Sequence, residues 1–122
     1  MKNIKDIVYE ALKKVTENVS DVYPKEWAED VTIQLTEEDN SVFEYSSDMS
    51  GLCQEDKAQV RYRIDIWHRK STSAAAVMVD AKMAAIGLKR TGCSDVPDPS
   101  GMKHKQMRYE GIIDMHSDFV YW

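Results

Sequence analysis

Apolar residues recur at helical intervals through the first part of the chain, at Ile4, Val8, Ala11, Leu12, Val15 and Val19, with Lys5, Asp6, Glu10, Lys13, Lys14 and Glu17 mostly between them. This spacing lays one apolar stripe along a cylinder and predicts an amphipathic helix over 2–19. The helix opens near Lys2 or Asn3, and Ser20-Asp21 followed by Tyr23-Pro24 closes it, because proline cannot continue the hydrogen-bond ladder. The period then changes to two. Val31, Ile33 and Leu35 alternate with Thr32, Gln34 and Thr36, a half-buried strand that the acidic run Glu37-Glu38-Asp39-Asn40 is expected to end. A shorter strand is predicted over Val42–Ser47, then a loop over 48–57 around Gly51.

The clearest strand runs from Val60 to Arg69. Val60, Tyr62, Ile64 and Ile66 point one way, to a core; Arg61, Arg63, Asp65, Trp67 and Arg69 point the other, to water or a partner. Ser71-Thr72-Ser73 offers hydroxyls to cap a helix over Ala74–Leu88, whose alanines have high helix propensity, and Gly92 is its expected terminator. A surface loop is predicted over 94–105, with Pro97, Pro99 and Gly101. Met107, Tyr109, Ile113 and Met115 then alternate with Arg108, Glu110 and Asp114 around a bulge expected at Gly111, and Phe119–Trp122 makes a last strand or an apolar tail. The order α-β-β-β-α-β(-β), with no internal repeat, predicts one α+β domain over 1–122. Its antiparallel or mixed sheet of about four strands is flanked by two main helices.

Composition supports folding, since 43% hydrophobic and 30% charged residues are ordinary globular usage. A net charge of −5 disfavours attraction to nucleic-acid backbones. The charged and apolar alternation of Met1–Val19 matches neither a signal peptide nor a membrane span, so the protein is expected to stay where it is made. Cys53 and Cys93 lack CxxC spacing and are expected to be free thiols in loops or at element ends.

Catalytic patterns are missing from the sequence. It has no GxSxG, its five glycines do not cluster into a phosphate loop, and His68, His104 and His116 show no HxH or HExxH spacing. The histidines are read as solvent-facing, and Asp114 and Asp118 as turn residues, so no catalytic, cofactor or metal site is assigned. Contact surfaces are better supported. On the second helix Ala74, Val77, Ala81, Ala84, Ala85 and Leu88 form one apolar face, while Met78, Val79, Met83 and Ile86 spread round the other side. One stripe would suffice to pack a helix on a sheet; the surplus allows either a central helix or a subunit contact. With the outward strand face and the apolar C-terminus, the candidate interface residues are Arg61, Arg63, Trp67, Arg69, Met78, Met83, Tyr121 and Trp122.

The run Tyr62-Arg63-Ile64-Asp65-Ile66-Trp67, a short Ser/Thr turn, and a helix over 73–90 ending near Gly92 together resemble the central part of lambda-like phage tail terminator, or tail completion, proteins. The preceding helix with Tyr23-Pro24, the segment Met107–Asp114 and the final Val120-Tyr121 extend the resemblance in order and spacing over most of the chain. It implies a ring, typically a hexamer, that caps the tail tube, stops its polymerisation and offers a docking surface to the head-side connector. DNA would pass through its lumen, and the protein would reside in the virion at the head–tail junction, without cofactor or membrane. The loops at 48–58 and 94–105 are the expected docking segments. Another head–tail connector or completion protein, or a small-molecule-binding regulatory domain with a concave apolar pocket, would use a similar fold.

Overall fold

The computed structural model describes residues 1–47, 51 and 53–122. Helix α1 spans Lys5–Lys13 and buries Val8 and Leu12 completely. It is shorter than the predicted 2–19 because the polar residues after it bind backbone. Thr16 Oγ1 donates to the Val31 carbonyl at 2.9 Å and accepts from the Asn18 amide at 3.3 Å, which turns the chain out of the helix. Val19 and Ser20 then form strand β1, parallel to the start of β2 at Ile33 and Gln34.

Strand β2 (Thr32–Ser47) pairs antiparallel along its length with β3 (Cys53–His68). The acidic run does not end the strand. Its polar side chains are tolerated because the outer half of β2 is mostly exposed, and register shifts between Glu37 and Asp39 and between Val42 and Glu44 absorb the misfit. The expected loop is correspondingly shorter, since β3 already starts at Cys53; Asp48, Met49, Ser50 and Leu52 lie outside the described residues.

Helix α2 (Ser73–Ile86) has Thr72 at its N-cap position without a side-chain cap bond; the Ser73 amide donates to Ser71 Oγ at 3.2 Å instead. It ends at Gly87, not at Gly92. Gly87 takes φ 111° in the left-handed region, and the amides of Gly87 and Leu88 both return to the Met83 carbonyl, at 3.2 and 3.1 Å. Strand β4 (Lys89–Asp95) starts at once, so Gly92 and Cys93 lie within a strand. Strands β5 (Lys103–Asp114) and β6 (Val120–Tyr121) complete the chain, which confines the predicted 94–105 loop to 96–102. No bulge forms at Gly111, which pairs in register with Val60; the irregularity falls between Arg90 and Gly92. A Cβ at Gly111 would stand 2.6 Å from Leu88 Cδ2, so the Leu88 side chain would have to shift to admit it.

The fold is α+β, as predicted, with a mixed sheet of six strands where about four were expected. The order is β1-β2-β3-β5-β4, with β6 paired to β5, and among the described residues only the β1–β2 pairing is parallel. Ile33, Leu35, Tyr62, Ile64, Ile66, Met107 and Tyr109 face the helices and join Val8, Leu12, Val79 and Met83 in one core. Tyr109 also donates its hydroxyl to Asp80 Oδ1 at 2.8 Å, tying α2 to the sheet. Among the described residues no helix is long and apolar enough to cross a membrane.

Candidate functional site

The strand face away from the helices is organised in rows by register: Thr32, Trp67 and His104; Gln34, Asp65 and Gln106; Thr36, Arg63 and Arg108; Asp39, Arg61 and Glu110. Side chains in such rows are neighbours; the last row alternates acid, base and acid, whereas Arg63 stands directly opposite Arg108. Arg61 Nε bonds Glu110 at 2.8 Å, Arg63 Nε bonds Asp65 at 3.0 Å, and Arg108 Nε bonds Glu38 at 3.0 Å. Gln106 bridges Arg108 and Asp65, at 3.1 and 3.2 Å. Arg61 and Arg63, expected to face a partner, therefore have carboxylates of their own chain beside them. Arg69 is exposed but lies just beyond β3, which ends at His68, and so is not on the strand face the sequence assigned it.

Trp67 corrects the sequence reading, for it is 2% exposed and cannot reach outward. The segment after β1 folds back over the sheet, and Tyr23 and Trp27 close on Trp67 with ring centroids each 5.6 Å away. His104 stacks on its other side at 4.5 Å, with 17° between the planes. His104 is accordingly largely covered, its side chain 10% exposed, and not solvent-facing. Its Nε2 lies 2.8 Å from Asp65 Oδ1, while its buried Nδ1 is without a hydrogen-bond partner and stands 3.6 Å from Asp98 Oδ1. Asp98, in the 96–102 loop, accepts from the Trp67 indole N–H at 3.2 Å, the Tyr23 hydroxyl at 3.4 Å and the Ser100 amide at 3.0 Å, as well as from the Ser100 hydroxyl. This loop is thus strapped to the aromatic cluster. Of the other histidines, His68 bonds the Glu29 carbonyl at 3.1 Å, and only His116, 72% exposed, is open to solvent.

Burial alone would raise the Asp98 carboxyl, but the hydrogen bonds from Ser100 and Trp67 and the nearby His104 ring outweigh it and hold the group below its usual 3.8. A carboxyl depressed in the folded state contributes stability that is fully present above its unfolded value, near about pH 4, and is lost as pH falls through the folded value. Asp98→Asn, which mimics the protonated form, is therefore expected to be less stable than wild type at neutral pH, with the gap narrowing towards pH 2. Urea titrations at several pH values measure that gap; one that widens in acid would contradict the assignment.

The second helix gives the other surface. Ala75, Ala76, Val79 and Met83 are its buried side, so Met83 is a core residue and no candidate for contact. The face of Ala74, Val77, Met78, Ala81, Ala84 and Ala85 is exposed, with Val77 at 71% and Met78 at 46%. It continues across a groove to Ile7 of α1, 52% exposed, with Lys14 and Lys82 on the rim. Sequence periodicity found both helix faces but could not say which one the sheet would take. At the C-terminus Tyr121 is half-buried in β6, whereas Trp122 is 48% exposed, with Lys89 Nζ 5.2 Å above its ring.

Cys53 opens β3, at an element end as expected, whereas Cys93 lies inside β4; both are exposed free thiols. Asp114 Oδ1 accepts from the His116 and Ser117 amides, at 2.9 and 3.1 Å, and Asp118 occupies the same turn at φ 61°. Among the described residues no three His, Cys, Asp or Glu side chains converge as metal ligands. No family model matches this chain, and no curated protein matches it either.

Proposed function

We propose that this chain is a structural assembly subunit of a phage or prophage, of the tail terminator kind, whose copies close into a ring that caps the tail tube and receives the head-side connector. The observation that carries this reading is the uncovered apolar face of α2, whose Val77 and Met78 are 71% and 46% exposed. A contiguous apolar surface of this kind marks a site of protein contact. The order of elements and the residues from Tyr62 to Trp67 resemble the terminator family, which assigns the contact to neighbouring copies and to the tube and connector proteins. The ring is a hexamer in this reading. DNA passes through its lumen without a dedicated binding site, and the protein acts without catalysis in the virion at the head–tail junction.

Sedimentation velocity over a concentration series, with electron microscopy of the heaviest species, tests the proposal. Rings of defined size are expected at high concentration, and Val77→Glu, which places a charge on an exposed position, should weaken their formation at least about tenfold. A protein that remains monomeric at millimolar concentration would sink it.

A further inference from the structure

The sheet has two open edges, and they differ. On its outer side β2 is paired only at Ile33 and Gln34, by the two residues of β1, which leaves the backbone from Leu35 to Ser47 without a strand partner among the described residues. At the opposite end β4 pairs with β5 on one side only, and six of its seven residues are exposed. Unpaired edges of this length are templates for another strand.

Charge distinguishes the two edges. Residues 37–57 contain seven acidic residues and one lysine, a net of −6, while the remaining 101 residues carry fourteen acidic and fifteen basic residues, a net of +1. The chain's negative charge is thus concentrated in the β2–β3 hairpin. The β4–β5 segment 89–108 is of opposite sign, with Lys89, Arg90, Lys103, Lys105 and Arg108 against Asp95 and Asp98. Pairing β2 with a second β2 would oppose acid to acid, and β4 with β4 base to base; the mixed pairing alone brings opposite signs together.

We propose that β2 of one copy pairs edge to edge with β4 of the next, the acidic hairpin lying along the basic ribbon so that the sheet continues from subunit to subunit. Because two different surfaces meet, the contact is head-to-tail, and repetition closes a ring when the rotation between copies permits. The proposal rests on the self-assembly reading above and names the junction it would use. Asp39 and Glu44 are exposed on β2, and Lys89 and Arg90 are exposed on β4, so all four can be changed without opening the core.

The test is a charge exchange read by sedimentation velocity. Asp39→Lys with Glu44→Lys, and separately Lys89→Glu with Arg90→Glu, are each expected to raise the concentration needed for assembly at least about tenfold, because each sets like charges together at the exchanged positions. The first cuts the 37–57 charge from −6 to −2, and the second turns the 89–108 charge from +3 to −1. An equimolar mixture should reassemble near the wild-type concentration, since at mixed junctions the altered β2 of one variant meets the altered β4 of the other, opposite in charge at the exchanged positions, and native β2 meets native β4. Tryptophan emission and thermal melting confirm that each variant is folded, and wild type gives an independent reading, since its assembly should weaken as salt rises from about 0.05 to about 0.5 M. If wild type assembles but both reversals assemble equally well, if the mixture is not rescued, or if added salt leaves assembly unchanged, the junction is wrong while self-assembly stands. If wild type never assembles, both readings fall.

Discussion

Trp67→Ala is expected to cost about 3–5 kcal/mol of stability, the range for truncating a large buried aromatic side chain. Trp67 is 2% exposed and is contacted from three directions, by Tyr23, Trp27 and His104. Its removal leaves a void on the sheet face and takes the indole donor from Asp98. Because the first residues after β1 are held down mainly by these rings, the substitution should also free that segment. Chemical denaturation gives the loss, and Trp67→Phe, which keeps ring contacts but not the N–H, should fall between the alanine variant and wild type. A loss under about 1 kcal/mol for alanine would mean that the aromatic cluster is not closed in solution.

Gly87→Ala is expected to be nearly as severe, at about 3 kcal/mol or more, and for a different reason. The residue sits at φ 111°, where an L side chain is strained, and its Cβ would lie 2.2 Å from the Val120 carbonyl oxygen and 2.9 Å from the carbonyl carbon. Backbone cannot yield as a flexible side chain does, so β6 or the end of α2 has to move. Gly101→Ala separates the two causes, since Gly101 has φ 79° but nothing within 4 Å of an added Cβ. It should show only the conformational penalty of about 1 kcal/mol. Equal melting temperatures for the two variants would refute the steric argument.

Period-two alternation over Val60–Ile66 located the central strand and its buried face, because those side chains alternate between the helices and the opposite sheet face. The same reasoning failed at Trp67, which shares its face with Arg61 and Arg63 but is covered by a segment distant in sequence. Nothing periodic in residues 21–30 announces that fold-back, although Tyr23 and Trp27, four apart after a turn, are apolar groups that need a seat. The acidic run 37–40 read as a strand end, because local polarity carries no information about a neighbouring strand that supplies partners. The end of α2 was legible in principle. Gly87 followed by the buried Leu88 is the sequence mark of a left-handed helix cap, but the continuing Lys89 and Arg90 mimic a last helical turn. Of the candidate contacts, Met78 and Trp122 stand on the surface and Met83 does not, a distinction that depends on which side of α2 meets the sheet.

The connectivity of the sheet has a further consequence for how the chain must assemble itself. Strands β2 and β3 are joined by residues 48–52, whereas β3 and β5 are separated by α2, β4 and their connections, from 69 to 102. Closing the longer loop costs about 2 kcal/mol more chain entropy than closing the shorter one, before any stacking or burial is counted. The hairpin can zip locally, while the β3–β5 pairing at the middle of the sheet must close the longer loop that contains α2 and β4. The exposed outer half of the β2–β3 hairpin is therefore the part of the sheet least dependent on the core for its register.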